Sequence, residues 1–296
     1  MVALFNICFG LFFTVSSVVI FCINALLLII LIRYKEFSTG TYRIIKNVCV
    51  ACMMQLFVFF TGGIMTLTDT WFGYHIDRIF GAVVQSGWMF YVGLGIAVAV
   101  DRLSICMHPA KAYIINRISL FLLVCSWLLG ISFMVTLLLP GFGFTYQTEN
   151  GLYTWFYTSQ PNSVTLGTVE PCIDFTSFLV QFVIYSIALV RLFKMRRIAL
   201  GIDQSLSLKV ELRLFIIAFV SFLYETIFII WCFWGSTMFT ESAFTESLVT
   251  SLWIFDTGLF SFGMIMINGS IRGKVRIMFG KPKSIKVTNL RLRSTV

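Results

Sequence analysis

The sequence predicts an all-α membrane protein, a bundle of seven transmembrane helices with a short amphipathic eighth, its N-terminus outside and its C-terminus in the cytoplasm. Three observations lead there. The 296 residues are 58% hydrophobic and only 12% charged, whereas a soluble domain carries about a quarter charged residues. The apolar residues fall in long runs near 20 residues, the length that crosses ~30 Å of hydrocarbon. The basic residues crowd the segments on one side of those runs.

The first run covers about 3–32 and ends at Arg33 and Lys35. No basic segment precedes it and no small-residue cleavage site follows, so it reads as a signal anchor. It is longer than the bilayer, so it tilts or projects outward. Further spans are expected near 47–67, 79–100, 118–139, 173–193, 212–235 and 247–268, the fifth the least clean because it lies between Asp174 and Arg191. Together with an amphipathic helix at 270–281 they make one domain over 1–281, followed by a basic tail at 282–296. No internal repeat is visible, which weighs against an inverted-repeat transporter.

Orientation follows from loop charge. Arg33, Lys35, Arg43 and Lys46 follow the first span, and Arg102, Lys111 and Arg117 the third. Six bases lie between Arg191 and Arg213, and eight between Arg272 and Arg293. Only Arg78 falls on the opposite side, a ratio of 21 to 1, so the positive-inside rule places these segments in the cytoplasm. The net charge of +9 is then a feature for anionic lipid and cytoplasmic partners, and no nucleic acid is expected.

The outside loops are short except 140–173, which holds Tyr146, Tyr153, Trp155, Phe156, Tyr157, Pro161 and Pro171. It reads either as a lid over a pocket or as a solvated connector with interfacial aromatics. After the seventh span, Ile271, Val275, Met278 and Phe279 form one helical stripe flanked by Arg272, Lys274, Arg276 and Lys281. This predicts a short helix lying on the lipids of the inner leaflet. The eight cysteines mostly fall within apolar runs and read as small apolar fillers.

The stretch from Gly81 to Pro109 organises the chain. Twenty uncharged residues are followed by Asp101-Arg102-Leu103 at the apolar edge. A charge at the centre of a span costs roughly 2.5–3.5 kcal/mol on insertion scales and less toward its ends. An ordinary charged flank would satisfy the same pattern, but Pro109 lies seven residues beyond Arg102. That spacing resembles the third helix of the rhodopsin-like G-protein-coupled receptors, where Asp-Arg-Tyr precedes a loop proline; Leu103 stands in place of the tyrosine. Asn24 in the first span, Trp127 in the fourth and Tyr185 before the basic third cytoplasmic loop agree with that family's pattern. Within it, TYRIIKNVCVACMMQLF and INGSIRGKVRIMFG resemble the nematode serpentine chemoreceptors of class T or a related class.

The resemblance implies a chemosensory receptor in the plasma membrane or a sensory cilium, with a heterotrimeric G protein and a small odorant- or pheromone-like molecule as partners and no cofactor. It implies that Asp101 restrains Arg102, with Glu211 a candidate second partner, and that Arg102 and Tyr185 receive a G-protein C-terminus on release. The departures matter too. All five prolines (109, 140, 161, 171 and 282) read as loop or tail residues, so the family's helix kinks are missing. The seventh-span Asn-Pro-x-x-Tyr is replaced by FSFGM at 260–264, Cys52 stands for the second-span aspartate, and Asp77 stands near the third-helix cysteine. The sodium site and a bridge to Cys172 are thereby put in question.

Glu225 and Asp256 sit near the middles of the sixth and seventh spans with no base in any span to pair with. They are expected to be neutral acids that donate hydrogen bonds, either as polar glue between helices or as a working contact. Asp256-Thr257-Gly258 matches the aspartic-protease triplet, but the motifs of intramembrane aspartyl proteases are missing. Cys49-x-x-Cys52 has no histidine nearby, and no lysine occurs in the seventh span to form a retinal Schiff base. No catalytic or metal site is therefore expected.

Val84 stands where amine receptors hold an aspartate. Trp88, Tyr91, Trp231, Trp234 and Trp253, with Gln85 and Gln181, suggest an aromatic pocket for a small, largely apolar ligand. The rival readings are a ligand-gated channel or transporter subunit, and a non-signalling heteromer partner.

Overall fold

Hydrocarbon offers no water to satisfy backbone N–H and C=O groups, so each apolar run closes its hydrogen bonds within itself as a helix. The computed structural model of the protein describes residues 2–70, 72–107, 112–147, 154–198, 202–238 and 243–280. In order they form α1 (Val2–Arg33), α2 (Gly40–Thr68), α3 (Tyr74–Met107), α4 (Ala112–Leu138), β1 (Phe144–Gln147), β2 (Thr154–Tyr157), α5 (Pro161–Ile198), α6 (Ile202–Met238), α7 (Ala243–Ile267) and α8 (Gly269–Phe279). Among the described residues, α1 to α7 are long and apolar enough to cross a membrane.

α2 and α3 are the axis of the bundle. Of the apolar stretch of each, 67% is buried, against 33% in α1 and α5 and 28% in α4, which turn their outer faces toward lipid. α3 packs on α2, α4, α5, α6 and β1, and the core gathers around Trp88, Phe59, Phe90, Leu56 and Met65. α1 and α2 cross almost backbone to backbone at Gly10 and Gly63. A Cβ on Gly63 would lie 2.7 Å from the Thr14 nitrogen, and one on Gly10 would lie 2.8 Å from the Leu67 nitrogen. Small residues at such crossings replace the hydrophobic drive that lipid does not supply.

Helix ends are built from side chains the apolar pattern does not weigh. α2 closes on Asp69, left-handed at φ 49°, with its N–H bonded to the Met65 carbonyl. Arg78 donates from Nε to the Leu137 carbonyl (3.2 Å) and also to that of Leu139, covering the bare carbonyls at the end of α4. Asn268 separates α7 from α8, its side-chain oxygen accepting from the N–H groups of Ser270 (3.1 Å) and Ile271 (3.4 Å), an N-cap that lets the chain change direction. α8 is moored to the turn after α1: Lys274 Nζ lies 3.3 Å from Glu36 and 4.6 Å over the Tyr34 ring. Ile271 is buried there, while Phe279 is 75% exposed.

The segment 140–173 departs from the expected arrangement. β1 and β2 pair antiparallel, with Phe144 opposite Tyr157 and Tyr146 opposite Trp155. Those four rings share one face and pack at centroid distances of 4.8 Å (Phe144–Tyr157), 5.1 Å (Tyr146–Trp155) and 6.4 Å (Phe144–Trp155). α5 begins at Pro161, twelve residues before the span expected at 173, and Pro171 lies within it. The reading of all five prolines as loop or tail residues is therefore corrected at this position. Proline suits the first helical turn, so Pro161 starts the helix. Pro171 is accommodated inside it, leaving the Gly167 carbonyl without its helical donor. Helices α2, α3, α6 and α7 likewise start before their apolar runs, because capping and helix propensity carry a helix past the hydrocarbon edge.

Candidate functional site

At the end of the bundle holding Arg102, Asp101 and Arg102 are 2% and 3% exposed. Arg102 Nη2 donates to Asp101 Oδ2 at 2.5 Å. Thr41 of α2 donates its hydroxyl to the same oxygen (2.8 Å) and accepts from Arg102 Nη2 (2.8 Å). Ser119 of α4 donates to Asp101 Oδ1 (3.0 Å). One carboxylate thus ties three helices to the arginine, and charge-assisted bonds of this kind are the strong ones. Sequence reasoning missed Thr41 and Ser119; small hydroxyl residues at helix ends are too common to signal a partner across the bundle.

The space beside Arg102 is closed. A cavity of only about 10 Å³ remains, lined in part by Ile44, Val98, Leu214 and Phe260, room for one water at most. Tyr185 is 2% exposed, its ring 5.8 Å from Phe215, 6.0 Å from Phe219 and 5.4 Å from Phe222. Leu103 is partly buried against the same core. Pro109 and the side chain of Glu211 lie outside the described residues.

Midway through the bundle, Asn24 of α1 donates to the Thr257 carbonyl (3.1 Å) and accepts from the Ser261 hydroxyl (2.7 Å). A Cβ on Gly258 would lie 2.6 Å from Ile20 Cγ2, so the Asp-Thr-Gly triplet is a helix contact. Glu225 hydrogen-bonds with the Tyr91 hydroxyl, joining α6 to α3. Asp256 is 1% exposed, and neither carboxyl oxygen has a hydrogen-bond partner among the described residues. Of the two acids expected to donate hydrogen bonds, Glu225 thus meets the Tyr91 hydroxyl, and Asp256 meets no partner among the described residues. Trp127 of α4 donates to Asn47 of α2 (3.0 Å) and packs at a tilt of 40° against Phe90.

At the opposite end a cavity of about 310 Å³ opens beneath the hairpin. α3 supplies Gln85 and Trp88, the hairpin Phe144 and residues 154–156, α5 Glu170, α6 Trp231, and α7 Glu246 and Trp253. Its floor is aromatic: Trp88 meets Trp253 edge-on at 5.7 Å and Phe228 at 5.8 Å. Trp253 Nε1 donates to Gln55 of α2 at 2.8 Å, which fixes its ring. Of the residues expected in a pocket, Gln85, Trp88, Trp231 and Trp253 line this one. Tyr91 and Gln181 lie deeper, beside a space of about 20 Å³ shared with Glu225 and Tyr185. Trp234 turns outward, 47% exposed, against Phe175.

The cavity's polar wall was not foreseen. Glu170 accepts from Gln85 Nε2 (2.6 Å) through one oxygen and from the Tyr157 hydroxyl (2.5 Å) through the other. Gln85 also donates to Tyr157 (3.1 Å). Burial and, after it, the Glu170 charge push the Tyr157 phenol above its usual range, so it stays a donor. One turn along α5, Asp174 is fully buried and accepts from Trp88 Nε1 (3.4 Å). In a linear reading both acids looked like loop charges, because the helix that aligns them starts in polar sequence.

No disulfide holds the hairpin among the described residues, since Cys172 is a free, exposed thiol. Asp77 takes over: its carboxylate accepts the Tyr146 backbone N–H at 3.1–3.2 Å. The Tyr146 hydroxyl meets Thr66 of α2 at 2.5 Å. Beneath β1, a Cβ on Gly81 would stand 1.6 Å from the Phe144 carbonyl oxygen, so the hairpin rests on bare helix backbone.

No protein-family model matches the chain, and no curated protein matches it in sequence. Among solved structures it is similar to squid rhodopsin, with a TM-score of 0.76 and 12% identity over 94% of this chain and 86% of that one. At that identity the likeness speaks for the fold alone. The chain has the seven-helix fold of a rhodopsin-type G-protein-coupled receptor.

Proposed function

We propose that this chain is a chemosensory receptor of the plasma membrane that couples a small ligand to a cytoplasmic heterotrimeric G protein. The hairpin end faces outside and the Arg102 end faces the cytoplasm, as the 21 to 1 distribution of bases requires. The resemblance to the nematode serpentine chemoreceptors of class T or a related class belongs to this reading. The observation that carries it is the buried cluster Asp101–Arg102–Thr41–Ser119. It is a polar latch placed where a G protein would dock, with a ligand-sized cavity at the other end.

In this reading the described conformation is the resting one. Leu214 of α6 and Phe260 of α7 close the space beside Arg102, and Tyr185 is packed among α6 phenylalanines. Ligand in the outer cavity favours an outward displacement of α6, which frees Arg102 and Tyr185 to frame a G-protein C-terminus. A differential affinity of about 1–3 kcal/mol between the two states suffices to bias the equilibrium.

Calcium imaging in cells expressing the receptor identifies an agonist, and Arg102→Ala is then compared with wild type. Abolished G-protein activation at unchanged surface delivery is the expected result. Undiminished coupling by the variant would remove the basis of the proposal.

A further inference from the structure

The outer cavity has acceptors in excess and no base. Its lining includes the carboxyl groups of Glu170 and Glu246, and neither lysine nor arginine is among the lining residues. Gln85 is 1% exposed, lines the cavity and spends its amide N–H on Glu170 and Tyr157, which leaves Oε1 buried without a partner among the described residues. One turn along α5, Asp174 Oδ1 is also buried and unpartnered. Buried acceptors without donors are costly, and the half-buried Glu170 and fully buried Asp174, one turn apart with no counter-charge in the cavity lining, add to that cost.

We propose, building on the receptor reading above, that the ligand carries a compact cationic group, a protonated amine in the simplest case, seated against Glu170 and the Gln85 carbonyl with its apolar body on the tryptophan floor. An ammonium brings donors and no acceptor, a donor for Gln85 Oε1 and a counter-charge for Glu170. Trp88, Trp231 and Trp253 border the same space and offer ring faces that attract a cation. Asp174 adds a second carboxyl group behind Trp88, whose indole N–H it holds. Val84 therefore does not exclude an amine; the negative charge is supplied by α5 in place of α3. Trp155 Nε1 is a buried donor without a partner in the structure, so a hydroxyl or carbonyl on the far side of the ligand is accommodated as well. The cavity's ~310 Å³ lies at the small end of ligand sites, about 300–1,000 Å³.

The test is direct binding to purified receptor in lipid nanodiscs, read as a shift in thermal midpoint. The probes are 2-phenylethylamine and tryptamine, each beside its alcohol and its carboxylic acid counterpart. Amines should raise the midpoint in a saturable way, and the alcohols and acids should need at least tenfold higher concentration. Glu170→Gln should weaken amine binding tenfold or more, while Glu36→Gln, which removes an exposed carboxylate at the far end of the bundle, should bind amines as wild type does. Alcohols binding as tightly as amines, or no shift from any amine, overturns the proposal even before a variant is made. Amine binding without G-protein activation in wild type leaves this inference standing and defeats the receptor reading instead.

Discussion

The carboxylate of Asp77 holds the backbone N–H of Tyr146 through both oxygens, at 3.2 and 3.1 Å, and so pins the hairpin to the first turn of α3. This is the place where the resemblance implied a cysteine, and the function of that cross-link is carried by hydrogen bonds. Asp77→Ala removes the carboxylate that accepts the Tyr146 N–H, at about 1–3 kcal/mol. A lower thermal midpoint and weaker binding in the outer cavity are expected. Cys172→Ser and treatment with reductant should change neither, because Cys172 is free and exposed.

Gly81 tests the seat of the same hairpin. A methyl group there would overlap the Phe144 carbonyl, 1.6 Å from the ideal Cβ position. Helix backbone cannot yield by that much, so Gly81→Ala should lift β1 and weaken ligand binding more than tenfold. Limited proteolysis between residues 140 and 160 should quicken, which distinguishes displacement of the hairpin from a local change in the cavity.

The latch at Arg102 is expected to set basal activity. Thr41→Val and Ser119→Ala each remove one donor to Asp101, a loss of about 1 kcal/mol, and Asp101→Asn weakens the pairing with arginine by more. Ligand-free G-protein activation should rise in the order Ser119→Ala, Thr41→Val, Asp101→Asn. A variant series with wild-type basal signalling would show that the cluster only supports folding.

Glu225 and Asp256 are expected to behave differently despite similar depth. Glu225→Gln keeps a partner for Tyr91, so signalling should survive, whereas Glu225→Leu strands the Tyr91 hydroxyl and should cost ~1–3 kcal/mol. Asp256 has no hydrogen-bond partner in the structure, so Asp256→Leu should leave stability unchanged or raise it. Thermal midpoints of the four single variants, Asp256→Asn included, decide this.

The seven long helices were legible because hydrocarbon enforces one solution on an apolar run, and a count of bases is enough to suggest which ends share a side. The same logic reached Arg102, whose charge is conspicuous at an apolar edge, and the stripe of α8, whose Ile271 is buried as its register implies. It did not reach Thr41 and Ser119, which meet Asp101 from 60 and 18 residues away. Nor did it reach the hairpin, whose four-residue strands are too short to show a period. The start of α5 was hidden for a further reason: Pro161 and Pro171 both read as breakers, although one initiates the helix and the other is carried inside it. Missing that helix also hid the alignment of Glu170 and Asp174 on the cavity side.

Pro171 stands between those two acids, at the point where α5 gives up a backbone bond. The outer turn bearing Glu170 and the deeper turn bearing Asp174 are therefore joined by the softest joint in the helix, and a guest drawing on both would set the angle between them. Its bulk would thus be converted into a tilt of the segment leading to Tyr185, a lever arm whose fulcrum is a single imino acid.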